Sequence, residues 1–266
     1  MYCNTGKFRK KMDAGQLCLG PGITFADPVV TESIGPYTDF VWIDLEHNPT
    51  SLQTMVGHLI AARAAGTTGI VRVPSGELGW IKRVLDSGAE GVILPQSRGY
   101  DEAAAFVSAC RYPPLGTRGF GPRRPTDYGR IPVDEYLRIA NRDLFVVVQI
   151  ETAGALEDIE KISRIPGLDS LVIGPWDLSG SIGIMGQLDH PKLKEAIARI
   201  IKVGREAGLY IGMGMGANVD YAVGAAQAGV HWCQVGNDFE YLNRFAKELY
   251  AKVRESATLP LRREGM

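Results

Sequence analysis

The stretch VWIDLEH, Val41 to His47, begins as a buried strand and ends in chemistry. Val41, Trp42 and Ile43 leave no polar face, yet Asp44, Glu46 and His47 follow at once. Burying such groups unpaired costs several kcal/mol, roughly 2–7 for a neutral polar group and more for a charge. A strand that carries acids and an imidazole to its C-terminal end is expected to deliver them to a site.

The same design recurs along the chain. Short apolar runs stand at LCLG (17–20), FVWID (40–44), GIVRV (69–73), GVILP (91–95), LFVVVQIE (144–151), SLVIG (170–174), LYIGM (209–213) and WCQVG (232–236). They do not alternate polar with apolar, as expected of parallel strands covered by helices. Amphipathic segments lie between them. Gly66, Gly88, Gly208 and Gly229 stand where helices would stop. Eight strands with helices between them read as an α/β fold, a (β/α)8 TIM barrel. A doubly wound open sheet would need a glycine-rich fingerprint after the first strand, and none follows.

The totals agree with one barrel. The 266 residues suit a single domain, drawn here as 1–256, with a flexible tail over 257–266. The net charge of −1 leaves no basic stripe for phosphates, which argues against nucleic acid. No apolar run reaches the roughly 20 residues of a membrane span. The basic start MYCNTGKFRKKMDAGQ lacks an apolar core, so no signal peptide is expected and the cytoplasm is the default compartment. Cys3, Cys18, Cys110 and Cys233 form no CxxC and are read as reduced. One long segment, 111–132, is rich in Pro, Gly and Arg and reads either as a solvated surface excursion or as part of an active site or subunit contact.

In a TIM barrel the site lies at the C-terminal strand ends. Strand 2 brings Asp44, Glu46 and His47 there, and strand 3 brings Arg72. Strand 5 brings Gln149 and Glu151; strand 6 runs through Gly174 into Trp176 and Asp177. The run GMGMG (212–216) reads as the tight end of strand 7, with a phosphate cradle as the alternative. Asp238 reads as a helix cap. Glu151 and Asp177 come from adjacent strands and suit a hard divalent cation, Mg²⁺ or Mn²⁺. Zinc would want more imidazole or thiolate than this rim offers, since His58, His190 and His231 fall at structural positions. Arg72 can hold a carboxylate or a developing enolate oxygen. His47 can move protons near neutral pH, with Asp44 fixing its tautomer and Glu46 pairing with Arg72.

Read in order, FVWIDLEH, VRVP, IKRVLDSGAEGVILP, RYPPLGTRG, VVVQIET and IGPWDLS resemble the signature segments of the HpcH/HpaI aldolase family, the class II pyruvate aldolases. The resemblance implies a divalent metal (Mg²⁺, Mn²⁺ or Co²⁺) held by Glu151 and Asp177. It implies pyruvate bound through that metal, with its carboxylate on backbone N–H groups of Trp176 and Asp177. Arg72 would stabilise the enolate, His47 with Asp44 would handle the C4 hydroxyl proton, and Gln149 and Gly174 would line the site. The partners implied are a 2-keto acid, an aldehyde and further copies of the chain, as a hexamer that exchanges C-terminal helices. The reaction implied is reversible cleavage of a 4-hydroxy-2-keto acid. Acyl-CoA lyase, decarboxylase or phosphoenolpyruvate chemistry on the same barrel is the alternative, and CoA would dock on the arginines of 111–130. A non-catalytic barrel is disfavoured by the intact acid–base set. Two positions depart from the family pattern: Asn48 follows His47, and the bulky Trp176 adjoins Asp177, where it would narrow the pocket or stack on substrate.

Overall fold

The computed structural model describes residues 4–258. The strands are β1 (Cys18–Ile23), β2 (Phe40–Asp44), β3 (Thr68–Arg72), β4 (Gly91–Leu94), β5 (Phe145–Ile150), β6 (Ser170–Ile173), β7 (Tyr210–Met215) and β8 (Trp232–Asn237). They close into a barrel in chain order, and every neighbouring pair is parallel. The expected (β/α)8 barrel is the fold. Each expected strand is present, and β1 runs on to Ile23 through Pro21 and Gly22. The register between β1 and β8 shifts at that point, so the missing N–H of Pro21 falls at an irregularity that tolerates it.

Side chains of a strand alternate between faces, and here the two faces form two cores. Val41, Ile43, Val71, Val92, Val146 and Val148 face the helices and pack with Met55, Leu59 and Phe106. Phe40, Trp42, Ile70, Ile93, Phe145, Val147, Val172 and Trp232 fill the barrel interior. The helix Thr5–Asp13 closes the lower end, where Phe8 meets the rings of Phe40, Phe145 and Trp232 at 5.2–6.3 Å. Trp232 takes the space that a side chain on Gly212 would need, since a β-carbon there would stand 2.2 Å from the indole. The interior is thus packed to its middle layer. The next inward positions toward the C-terminal end are Asp44 after Trp42, Arg72 after Ile70, Gln149 after Val147 and Gly174 after Val172. Hydrophobic packing ends where the polar rim begins.

Local sequence sets the helices around this frame. Ser51 caps the helix Leu52–Ala65 through the Thr54 N–H, and Gly66 ends it at φ 75°. His190 caps Pro191–Glu206, as expected. Four helices escape the sequence reading: Thr5–Asp13, Pro28–Ile34, Val133–Asp143 and Pro175–Ser181. Thr5–Asp13 is strongly polar and Pro28–Ile34 and Pro175–Ser181 are short, whereas Val133–Asp143 is amphipathic, with Tyr136 and Ala140 buried, and follows directly on the Pro- and Gly-rich segment. Asp238 is not the cap of the last helix, Asp238–Ser256; Asn237 is. The Asp238 carboxylate instead accepts from the N–H groups of Thr24 and Phe25 at 2.9 and 3.0 Å and from the Thr24 hydroxyl at 2.5 Å. It clips the loop after β1 to the last helix.

The segment 111–132 is not part of this chain's own rim. Arg111 donates to the carbonyls of Gly167, Asn141 and Leu144 and pairs with Asp169. Arg118 reaches Asp86 at 3.2 Å and stacks on Tyr112, while Arg124 donates to the Leu59 carbonyl at 3.0 Å. These partners lie at helix C-termini and on the outer layer, away from the strand C-termini. Cys18, Cys110 and Cys233 are free and buried; Cys3 and the tail from 259 lie outside the described residues. Among the described residues no helix is long and apolar enough to cross a membrane.

Candidate active site

The polar rim begins with register. Asp44 of β2 stands directly beside Arg72 of β3 in the parallel ladder. The guanidinium meets the carboxylate as a fork, Nε to Oδ1 at 2.8 Å and Nη2 to Oδ2 at 2.9 Å. Its third nitrogen, Nη1, lies 3.1 Å from Glu46 Oε2. Burial alone would raise Asp44, but the hydrogen bonds and charge of Arg72 outweigh it and hold its carboxyl below the ordinary value. Glu46 goes the other way: burial raises it, and the charges of Asp44 and Asp177 add to that against Arg72 and His47. Two of the five guanidinium N–H groups are hydrogen-bonded to Asp44, and Glu46 is held by charge alone, which leaves three N–H groups for other oxygens.

His47 is 60 % exposed in its side chain and lies at the mouth. The expected partnership with Asp44 does not occur through the ring. Asp44 accepts the backbone N–H of His47 at 3.3 Å, together with the Glu46 N–H at 3.1 Å and the Asn48 amide at 2.9 Å. The imidazole Nε2 sits 3.6 Å from Glu46 Oε2. The reason is geometric: Arg72 and the turn Glu46–Asn48 already fill the oxygens of Asp44. Asp44 therefore shapes the turn that carries His47, and Glu46 is the carboxylate nearest its ring. Glu46 also meets Arg72, as the sequence suggested. The Asn48 departure has a structural use here, as a donor to Asp44.

Opposite this group stand Gln149, Glu151 and Gly174. Glu151 is 1 % exposed, and its Oε1 accepts the Gln96 N–H at 2.7 Å. Its Oε2 accepts from Gln149 Nε2. Gly174 makes room for both, since a β-carbon there would stand 2.5 Å from Glu151 Oε2 and 2.7 Å from Gln149 Nε2. Burial pushes Glu151 up to about 7; the Gln96 N–H opposes this, while the charges of Asp177 and Glu46 add to it. Gln96 was not foreseen in the sequence. It adopts φ 48°, a conformation that costs a non-glycine residue about 1–3 kcal/mol, and that turn aims its N–H at Glu151. Its only signal is its place, just past β4 and after Pro95.

Asp177 lies in the first turn of the helix Pro175–Ser181, which starts where Gly174 ends β6. Its charge is felt at both Glu151 and Glu46. The donor set Glu151 and Asp177 fits a hard divalent cation. Two neighbouring carboxylates are crowded near a third, Glu46, and Gln149 Oε1 is buried with no hydrogen-bond partner among the described residues. A dication would offset the burial that raises Glu151 and the repulsion from Asp177 and Glu46 that adds to it. Among the described residues no three His, Cys, Asp or Glu side chains converge as a ligand set. A cation here would keep positions for water and substrate oxygens.

A cavity of about 320 Å³ lies over the barrel mouth. Trp42 floors it; Asp44, His47, Arg72, Gln149 and Asp177 line one side. Trp176, 54 % exposed, forms part of its edge. Gly214, Gly216, Gln234, Asn237 and Glu240 form the other side; the sequence reading made the two glycines part of the tight end of strand 7 and gave Gln234, Asn237 and Glu240 no role. A hollow of about 440 Å³ bordered by Glu160, Arg164 and Glu206 lies on the outer layer, where no strand ends converge.

The comparisons agree with this geometry. The family model described as HpcH/HpaI aldolase/citrate lyase matches residues 26–244. A hydroxypyruvate/pyruvate aldolase of Roseovarius nubinhibens is 36 % identical over 216 residues, covering 79 % of this chain and 83 % of that protein. A 4-hydroxy-2-oxo-heptane-1,7-dioate aldolase of Shigella flexneri is 34 % identical over 261 residues, 97 % of each chain. The crystal structure of a family protein from Burkholderia cenocepacia superposes with a TM-score of 0.88 at 30 % identity, covering 94 % of this chain and 99 % of that one. With the barrel, the rim acids and the sequence pointing one way, the chain belongs to the HpcH/HpaI aldolase/citrate lyase family.

Proposed function

We propose that this carbon–carbon lyase is a divalent-metal-dependent aldolase. It cleaves a 4-hydroxy-2-keto acid reversibly to pyruvate, or a close analogue, and an aldehyde. The observation that carries the reading is the Arg72 guanidinium, fixed by Asp44 and Glu46 at a cavity that Gln149 and Asp177 also line, with Glu151 buried and hydrogen-bonded to Gln149.

Glu151 and Asp177 would hold Mg²⁺, Mn²⁺ or Co²⁺. The metal supplies a Lewis acid and a template that orients the keto acid. Backbone N–H groups of Trp176 and Asp177 stand in the first helical turn, before intrahelical partners exist for them, and receive the carboxylate. Arg72 offers an N–H group not bonded to Asp44 to the keto oxygen, where negative charge develops. His47 takes the C4 hydroxyl proton. The C3–C4 bond then breaks, its electron pair passes toward the keto oxygen as the enolate, and C4 leaves as the aldehyde carbonyl. Protonation at C3 gives pyruvate. Asp44 acts on His47 through the backbone turn, and Gln149 and Gly174 keep Glu151 in place.

The acyl-CoA alternative has less support, because Arg111, Arg118 and Arg124 are held by carbonyls, acids and a ring of the outer layer, which leaves Arg123 and Arg130 as the exposed arginines of the segment. The exposed apolar stripe of Asp238–Ser256, with Phe239, Leu242, Phe245, Leu249 and Val253, supports self-association. We take the assembly to be a hexamer, a trimer of dimers, and the compartment to be the cytoplasm.

The test is release of pyruvate from a 4-hydroxy-2-keto acid by the metal-loaded protein. Glu151→Ala and Asp177→Ala are each expected to lower kcat/KM by about 10³-fold or more, equivalent to about 4 kcal/mol. Removing metal with EDTA is expected to abolish turnover and Mg²⁺ or Mn²⁺ to restore it. Full activity in EDTA, or in either variant, would falsify the reading.

A further inference from the structure

The proposed chemistry uses one side of the cavity and leaves the opposite wall, Gln234, Asn237 and Glu240, without a role. We propose that this wall selects the aldehyde, accepting a neutral hydroxylated one and excluding one that ends in a carboxylate or a phosphate. The inference rests on the aldolase reading and deepens it.

Charge comes first. Among the described residues that border the cavity, Arg72 is the one permanent cation, and Asp44 and Glu46 already face it. Asp177 and Glu240 add further negative charge to the border. An anionic aldehyde would bring a second anion to this space, beyond the keto-acid carboxylate, with no cation placed to meet it.

The hydrogen-bond pattern says the same at atomic detail. Gln234 Nε2 donates to the Gly236 carbonyl at 2.6 Å. That fixes its amide with the oxygen toward Gly214, where a β-carbon would stand 3.4 Å away. Glu240 Oε2 accepts the Asn237 N–H at 2.8 Å. Its Oε1 is left toward Gly216, 3.9 Å from where a β-carbon would lie. The wall therefore offers acceptor oxygens from Gln234 and Glu240. A hydroxyl can donate to them, whereas a carboxylate or phosphate oxygen has no proton to give. The carboxylate of Glu240 beside Gly216 also disfavours a phosphate cradle at the GMGMG run.

The Mg²⁺-loaded protein is given pyruvate with glyceraldehyde, glyceraldehyde 3-phosphate or succinic semialdehyde, and kcat/KM is measured for each. Exchange of the pyruvate methyl protons with D₂O is followed separately, because it needs the enolate but no aldehyde. Exchange is expected, with glyceraldehyde favoured over both anionic aldehydes by about tenfold or more. In Glu240→Gln, which keeps an oxygen for the helix cap, that preference is expected to shrink by about fivefold or more. The ratio is taken within one preparation, so a lower folded fraction cancels. Exchange together with equal or better use of an anionic aldehyde overturns the inference and leaves the aldolase reading standing, as does a ratio unchanged in Glu240→Gln. Absence of both exchange and aldol product overturns the two together.

Discussion

Glu151 shows how a single residue records the demands of a site. Its neighbours give it two hydrogen bonds, from Gln96 and Gln149, and burial still pushes it up to about 7. A structural carboxylate would be paired with a cation, as Asp44 is with Arg72. In the metal-free protein the folded-state value lies above the ordinary 4.5. The stability contribution is therefore complete below about pH 4.5 and is lost as pH rises toward 7, by on the order of 3 kcal/mol. Urea unfolding of EDTA-treated protein at pH 5 and pH 8 measures it. Glu151→Gln is expected to flatten the difference relative to the parent, and saturating Mg²⁺ to offset it. An equal pH dependence in Glu151→Gln would rule out this carboxyl as the source. Glu151 itself was legible in the sequence as an acid ending an apolar strand. Gln96 was not, because its part is played by a backbone N–H that any residue other than proline carries.

At the scale of elements, the rim depends on loops being fastened to the barrel. Asp238 does this for β1: it is 4 % exposed and binds both the Thr24 and Phe25 N–H groups. Sequence alone made it a helix cap, since an acid before an apolar helix is the usual cap pattern. The carboxylate is instead recruited from 214 residues away in the chain, a distance that no local pattern encodes. Asp238→Ala is expected to cost about 2–3 kcal/mol and to speed amide exchange at residues 24 and 25. Unchanged exchange at those two amides would show that the clip is not needed. The 111–132 segment teaches a related point. Its arginines suggested phosphate docking, but Arg111 and Arg118 are buried and tie the outer layer together. Composition reported the charge and not which face it lay on.

At the scale of the molecule, the last helix leaves Leu242, Phe245, Leu249 and Val253 exposed along one stripe, more apolar surface than a lone helix usually shows to water. Phe245→Glu is expected to reduce the assembly mass measured by light scattering while leaving the barrel's helical signal in place; an unchanged mass would remove this face from the interface. The sequence by itself determined the barrel. Strands apolar on both faces, spaced by amphipathic helices, have few other ways to bury what they carry. It also determined that Asp44, His47, Arg72, Glu151 and Asp177 share one rim, because strand direction sends every C-terminal end to the same side. Only the tertiary structure decided who meets whom there. Asp44 took Arg72 rather than the His47 ring, since the two strands are in register and Arg72 can answer both carboxylate oxygens at once. Register, and the competition of neighbours for the same lone pairs, are properties of the closed barrel, and no single strand contains them.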